Sequence, residues 1–482
     1  MKSESIKANF IYQSGYQILT ILLPMLTSPY IARVLGADGI GVYSYTYSIV
    51  SYFVIFAKLG LHNYGNRCVA SIRDDQKKLN QTFSDLYSLH VIVSVLILAA
   101  YLFYVSFFVR EYKSIFIIQG LYLIGQLLDI NWFYFGIEKF KLTVTRNTAI
   151  KILTVFCVFL FVRTKNDLWK YVLILAAGSA ISESLVWFFL RRFVKFVCPD
   201  VHSYKKHIKP LLILFIPSIA VSVYKVMDKV MLGSMSSTFE VGLYENAEKI
   251  INISLGFVTA LGTVMLPRMS NLVATGHVNE SKQMIQKSSR FILILSYAMC
   301  FGIIGVSGIF PVVFWGNEFE GCGILLIGLA VSLPFTAIAN VARTQILIPQ
   351  HREKAFVVAV CIGAIVNFII NLICILQFAA FGAVIGTICA EGVACIIQLV
   401  SVQKDVSIWK YVIQSFPFLI IGILMAAVVK SIGYNMGTSV ITLLVQVIVG
   451  IIFYCSISLV YMILSHDELV TVITLKIKNW RR

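Results

Sequence analysis

Charge is scarce in this chain, and acidic charge scarcer still. Of 482 residues only 13% are charged, and 23 Asp and Glu stand against 40 Lys and Arg. Soluble domains carry about 25% charged residues, so this composition cannot cover a water-exposed surface of this length. No CxxC pair occurs. The ten cysteines are scattered, most of them singly in apolar runs (Cys157, Cys300, Cys361, Cys374, Cys389, Cys395, Cys455), which excludes a disulfide framework or a zinc module and leaves small buried hydrophobes. GxSxG, Walker and HExxH patterns are also missing. The sequence therefore predicts no enzyme, no catalytic residues, no metal and no nucleotide site. His90, alone in an apolar helix, reads as a packing residue. Long polar segments are lacking too. The longest, near 60–82, 191–210 and 267–290, run to little over about 20 residues, so no extramembrane domain is present to carry nucleic-acid binding despite a net charge of +17.

What the chain has is apolar length. Hydrophobic residues make up 59% and the mean hydropathy is +0.85. A membrane-crossing helix needs about 20 apolar residues, and that ruler gives about fourteen spans between residues 8 and 464. The first apolar run is interrupted by Gln13 and Gln17 and continues to Pro29. It reads as a membrane helix, with no small-residue cleavage site behind it. With the N-terminus placed in the cytoplasm, the inside segments hold about 28 Lys and Arg and the outside segments about 7. A missed helix would scramble that sorting, so the asymmetry predicts an even count and two cytoplasmic termini.

Leu35-Gly36 followed by Gly41-Val42-Tyr43 recurs as Leu232-Gly233 followed by Gly242-Leu243-Tyr244, six helices later. The two copies predict halves of like orientation related by an axis along the membrane normal. The fold class expected is all-α integral membrane. It comprises one six-helix lobe over 1–205, a second over 206–402, and two further helices with a cytoplasmic tail over 403–482.

Ionisable groups inside a span are costly and face a bundle interior or a water-filled cavity. Polar stripes at helical spacing mark four spans. On 8–32 they are Asn9, Gln13, Gln17 and Thr20; on 40–59, Tyr47, Ser51 and Lys58; on 211–232, Ser218, Ser222, Lys225, Asp228 and Lys229; on 244–266, Glu245, Glu248, Lys249, Asn252 and Thr259. These spans occupy matching places in the two halves, and the expectation is that they share one cavity. Its candidate substrate contacts are Lys58, Lys225, Lys229, Lys249, Asn9, Gln13, Gln17, Tyr47 and Asn252, a cationic set suited to an anionic substrate. Two other readings stand beside this one: salt bridges that lock helices together, and Lys58 reaching toward headgroups. Asp228, Glu248 and Glu391 are the candidates for H⁺ or Na⁺ coupling; Asp129, Glu183 and Lys151 also lie at membrane depth. Pro24 and Pro217 are expected bending points.

Several stretches carry a family resemblance: SPYIARVLGADGIGVYSYTYSIVSYF (28–53), LGLHNYGNR (59–67), DINWFYFGIEKFK (129–141), DKVMLG with EVGLYENAEKI (228–250), VMLPRMS (264–270), and QILIPQHREKAF with VNFIINL (345–372). In order and spacing they resemble the Wzx-type oligosaccharide flippases. These form the polysaccharide-transporter branch of the multidrug/oligosaccharidyl-lipid/polysaccharide (MOP) exporter superfamily. The resemblance implies two lobes in a V working by alternating access, with a cavity lined by the first two helices of each lobe. It also implies a place in the bacterial cytoplasmic membrane. The implied cargo is an oligosaccharide repeat on undecaprenyl pyrophosphate, bound for capsule, O-antigen or exopolysaccharide. The implied partners are membrane lipids and the polymerase and glycosyltransferases of that pathway. A multidrug exporter of the same superfamily, a lipid II flippase, and a membrane polymerase or glycosyltransferase are the alternatives. The last needs a catalytic loop outside the hydrocarbon, which the short outside segments do not offer.

Overall fold

A computed structural model of the chain describes residues 6–465. The side chains of 6–18, 21, 201–202, 214, 216–218, 220–221 and 223–225 are not among the described ones. The described residues are helical and contain no strand. Two compact units divide the chain, residues 1–242 and 243–482. The helices of the first are α1 (Ile6–Lys58), α2 (Leu61–Ile72), α3 (Gln76–Phe107), α4 (Lys113–Leu127), α5 (Asn131–Gly136), α6 (Phe140–Phe161), α7 (Leu168–Leu185), α8 (Trp187–Leu190) and α9 (Val201–Met235). α10 (Thr238–Ala274) begins in the first unit and enters the second after Gly242, followed by α11 (Val278–Val306), α12 (Phe310–Trp315), α13 (Cys322–Val341), α14 (Glu353–Phe378), α15 (Ala380–Val402), α16 (Ile408–Gln414), α17 (Phe416–Met436) and α18 (Val440–Leu464). α9, which the sequence places at the head of the second lobe, packs on α1, α2 and α3 within the first unit.

Among the described residues, twelve helical stretches are long and apolar enough to cross a membrane. The first of these, Leu22–Ile72, has 51 residues and holds the end of the first predicted span and the whole of the second. Its break falls at Gly36, with φ 72° and ψ 179°, a combination that only glycine adopts without strain. The chain turns there, while Pro24 and Pro29 lie within the helix. α9 covers the predicted seventh span. α10 has 37 residues, about 55 Å at 1.5 Å per residue, and so outruns a hydrocarbon core of about 30 Å.

The exterior shows why lipid is the solvent. Phe107, Phe188 and Leu464 are 72%, 78% and 75% exposed, and large apolar side chains are likewise bare along α14 and α18. Polar backbone is satisfied inside each helix, the condition for crossing hydrocarbon.

Inside the first unit, the two copies of the glycine repeat pack on each other. A Cβ at Gly41 would overlap the backbone of Thr238, and one at Gly242 would overlap the backbone of Ala37. A Cβ at Gly233 would run into the Tyr45 ring. Asp38 accepts a short hydrogen bond from the Thr238 hydroxyl beside this crossing. Small residues let helix backbones approach this closely.

Two departures from the expected spans concern the segment after Lys58. The 60–82 stretch, expected as a loop, contains α2, a short amphipathic helix entered through Leu59 and Gly60 at positive φ. It buries Leu61, Gly65 and Val69. The fourth span, expected as one helix over 114–136, is broken at 128–130 and resumes as α5, whose Trp132 ring lies against Gly65. In the second unit, the two last helices extend the core: Phe418, Ile421, Met425 and Val429 of α17 and Tyr454 of α18 join residues of α11 and α13. The Tyr454 hydroxyl donates to the Ile294 carbonyl at 2.8 Å. Arg352, from the QHRE stretch, ties the turn before α14 to the end of α15 through Asp405 and the Ser401 carbonyl. A cation on terminal carbonyls is favourable there. The expected cytoplasmic tail from 466 onward lies outside the described residues.

Candidate functional site

In the first unit, the predicted residues sit along α1 and α9. Lys58 is in the last turn of α1 and exposed. Tyr47, one face of α1 earlier, is 39% exposed. Its ring stacks on Tyr43 at 5.6 Å between centroids and meets Tyr122 edge-on at 5.0 Å. Tyr43 in turn meets Tyr171 at 5.1 Å, and the Tyr43 and Tyr122 hydroxyls are 3.2 Å apart. Four tyrosines from α1, α4 and α7 thus form one cluster with Tyr47 at its accessible edge. Asp228 is buried at 7% exposure and acts electrostatically on Tyr52 of α1; Lys229 beside it is half-buried. The side chains of Asn9, Gln13, Gln17 and Lys225 lie outside the described residues.

In the second unit, Lys249 is half-buried. It donates to Asn246 Oδ1 at 3.1 Å and lies 3.6 Å from Glu245, one turn back. Its positive charge is therefore shared within α10, the helix-locking arrangement weighed from the sequence. Glu248 is half-buried and Asn252 exposed. Glu391 on α15 accepts from the Thr336 hydroxyl at 3.0 Å and acts on Arg343. Arg343 belongs to a π-helical turn over Ala342–Leu347, and its guanidinium lies 5.1 Å from the Phe356 ring centroid.

The sequence missed the densest polar network, which lies in the first unit. Arg146, one of the Lys and Arg that the charge sorting assigns to the inside segments, is 8% exposed within α6. Its Nη2 donates to Asn147 Oδ1 at 2.6 Å and to Asn131 Oδ1 at 3.0 Å, and its Nη1 lies 3.6 Å from Glu183 Oε2. Asn131 Nδ2 donates to both Asp129 Oδ1 and Glu183 Oε2, each at 2.7 Å. Ser182 donates to Asn147 at 3.0 Å, and His90 Nε2 donates to the Gln126 carbonyl at 2.8 Å. The signal available was an arginine within the first third of a membrane-length helix. Arg146→Leu is expected to destabilise the protein by about 3–5 kcal/mol, because it strands the Glu183 carboxylate and leaves Asn131 and Asn147 without their donor in a low dielectric. Adding Glu183→Leu should recover part of that loss. Thermal unfolding of the two variants in detergent checks both.

Apolar exteriors around ionisable interiors define a multi-pass membrane protein built as a transporter. Its fold is that of the MOP superfamily. A solved lipid II flippase, MurJ, in an inward closed conformation superposes with a TM-score of 0.75 at 14% identity, over 94% of this chain and 99% of that one. An inward-facing multidrug resistance transporter of the MATE family gives 0.57 at 12% identity, over 83% and 98%. The chain belongs to the polysaccharide biosynthesis protein family, whose profile matches residues 6–273. It is 22% identical to a protein of Escherichia coli (strain K12) provisionally named an O-antigen transporter, over 83% of this chain and 97% of that relative.

Proposed function

We propose that the chain is a flippase of the bacterial cytoplasmic membrane. It moves an oligosaccharide repeat carried on a polyprenyl pyrophosphate, undecaprenyl in the simplest case, from the inner to the outer leaflet for surface polysaccharide synthesis. The observation that supports this reading most is the pairing of family with chemistry. A member of the polysaccharide biosynthesis family holds cationic and aromatic side chains on helices whose outer faces are apolar. A pyrophosphate and its sugars cannot cross hydrocarbon unaided, whereas the polyprenyl tail can remain in it. Lys58 and Lys229 supply positive charge for the pyrophosphate. The exposed edge of Tyr47 offers a flat apolar face on which a sugar ring can lie, held from behind by Tyr43 and Tyr122. Lys225, Lys249, Asn252, Asn9, Gln13 and Gln17 remain proposed contacts, and Asp228, Glu248 and Glu391 proposed coupling carboxylates. Movement needs two states and a bias between them, from an ion gradient or from product removal by the polymerase of the pathway. Both termini are taken as cytoplasmic.

Deleting the gene in a host that makes surface polysaccharide tests the reading. The expected result is accumulation of polyprenyl-linked repeats on the cytoplasmic face. Repeats that reach the outer face and stay unpolymerised would instead assign the missing step to polymerisation.

A further inference from the structure

The stretch that leads from α8 into α9 is strongly basic. Residues 191–213 hold six Lys and Arg against one acid, Asp200. From 194 to 200 the chain is not helical, and its backbone is met by the first turns of α3. Gln76 and Gln81 donate to the Phe193 and Cys198 carbonyls at 2.9 and 3.1 Å. Asn80 Oδ1, Ser84 Oγ and Asp85 Oδ1 accept from the backbone N–H groups of Lys195, Val197 and Asp200 at 3.0, 3.1 and 2.8 Å. The head of α9 is thereby fixed against α3, and its inner face is then set by packing. The Tyr204 and Ser88 hydroxyls are 2.6 Å apart, and His207 Nδ1 lies 2.8 Å from the Tyr64 hydroxyl. Leu211 and Phe215 are buried, with Gly60 close against the backbone of both. Tyr204, His207, Leu211 and Phe215 recur every three or four residues, so one face of the helix is committed to α1, α2 and α3.

The opposite face carries Lys205, Ile208, Lys209, Leu212 and Ile213, at the spacing that places side chains side by side on a helix, and these five line one shallow groove. Both lysines are exposed. Ile208, Leu212 and Ile213 are 39%, 42% and 58% exposed. Among the described residues, neither lysine has a carboxylate partner. The two ammonium groups stand on the first turns of α9 and the apolar residues follow deeper along it, the same order of charge and hydrocarbon as in a phospholipid. We propose that this groove holds an anionic glycerophospholipid of the surrounding bilayer, its phosphate diester between Lys205 and Lys209 and an acyl chain along Ile208, Leu212 and Ile213. Basic groups at the lipid–water boundary attract anionic headgroups. The lining offers no carboxylate to meet the cation of a choline or ethanolamine headgroup, so a zwitterionic lipid gains less there. It also offers no hydroxyl, amide or aromatic ring to hold a sugar, which separates this groove from the proposed cargo contacts. Because α3 already fixes the head of α9, little ordering is left for the lipid to impose. Arg191 and Lys195, exposed on the preceding segment, add to the positive potential without lining the groove.

The test uses the purified full-length protein in detergent, titrated with dioleoyl phosphatidylglycerol or dioleoyl phosphatidylcholine, with bound lipids counted by native mass spectrometry. Phosphatidylglycerol should bind at least about tenfold more tightly than phosphatidylcholine. Lys205→Gln combined with Lys209→Gln should remove that preference. Arg191→Gln combined with Lys195→Gln takes the same charge from the same stretch outside the groove and should leave the preference intact. Equal loss in the two double variants would mean a diffuse surface charge and overturn the site. Equal binding of the two lipids by the unmodified protein would overturn it as well. Glycerol 3-phosphate, a headgroup without acyl chains, should not displace the bound lipid; displacement would reduce the groove to a phosphate site and contradict the proposal. Undecaprenyl-diphospho-N-acetylglucosamine should also leave phosphatidylglycerol in place, and one-for-one displacement by it would hand the groove to the transport cargo. Failure of the phospholipid site leaves the transport reading standing, since that is tested separately by gene deletion.

Discussion

Replacing Lys58 and Lys229 together by alanine is expected to cut surface polysaccharide export at least about tenfold, the equivalent of ~1.4 kcal/mol in transport free energy, with the protein level in the membrane unchanged. Lys58 is exposed at the end of α1 and Lys229 half-buried on α9. Neither ammonium is buried, so removing it costs little stability. The loss should therefore fall on substrate handling. Conservative Lys→Arg replacements keep the charge and should restore most export, because a pyrophosphate accepts either cation. Export is read as polymer on the cell surface and protein level by immunoblot of membranes. Full export from the double alanine variant would remove both lysines from the site.

The second large effect is structural. Gly41→Val and Gly242→Val should each abolish recovery of folded protein, losing more than about 3 kcal/mol. The overlap at these positions is with backbone, which cannot yield as a flexible side chain can. Gly392 is the control: a Cβ there meets nothing within 4 Å, and its φ is not positive. Gly392→Ala should behave like the unmodified protein. Size-exclusion chromatography in detergent, followed by a thermal shift, separates the outcomes. Folded Gly41→Val protein with an unchanged melting temperature would mean that the close packing of the two repeat copies is dispensable.

The glycine crossing also shows what the sequence could and could not say. The repeat LG…G-hydrophobic-Y was visible as a pattern, and the break at Gly36 lies within its first copy. That the two copies touch required three dimensions. Membrane spans were legible because apolar length is a local property, summed over some twenty neighbours. α2 was missed for the same reason in reverse. It has 12 residues, too few for a span, and its buried Leu61, Gly65 and Val69 are separated by polar positions. The break at 128–130 was masked because apolar residues resume straight after Asp129 and Asn131. Asp129 and Glu183 stood out as isolated charges, but the network joining them depends on Asn131 and Arg146, on separate helices. Only the packing of α5, α6 and α7 brings those side chains within hydrogen-bond distance. Arg146 reads as one more basic residue near a loop until α6 is seen to bury it. The stripes on α1 and α9 needed no partner to be seen, and so Lys58, Tyr47, Asp228 and Lys229 could be named from periodicity alone.

Transport itself is tested most directly by reconstitution. The purified full-length chain is placed in liposomes whose fluorescent undecaprenyl-diphospho-oligosaccharide is quenched, leaflet by leaflet, by a reductant that cannot cross the bilayer. Protein-containing vesicles should expose nearly all of the lipid to the reductant over time, and vesicles carrying the Lys58 and Lys229 double variant should lag well behind. Equal quenching in vesicles with and without the protein, with half the lipid protected in both, would contradict the proposed flipping activity.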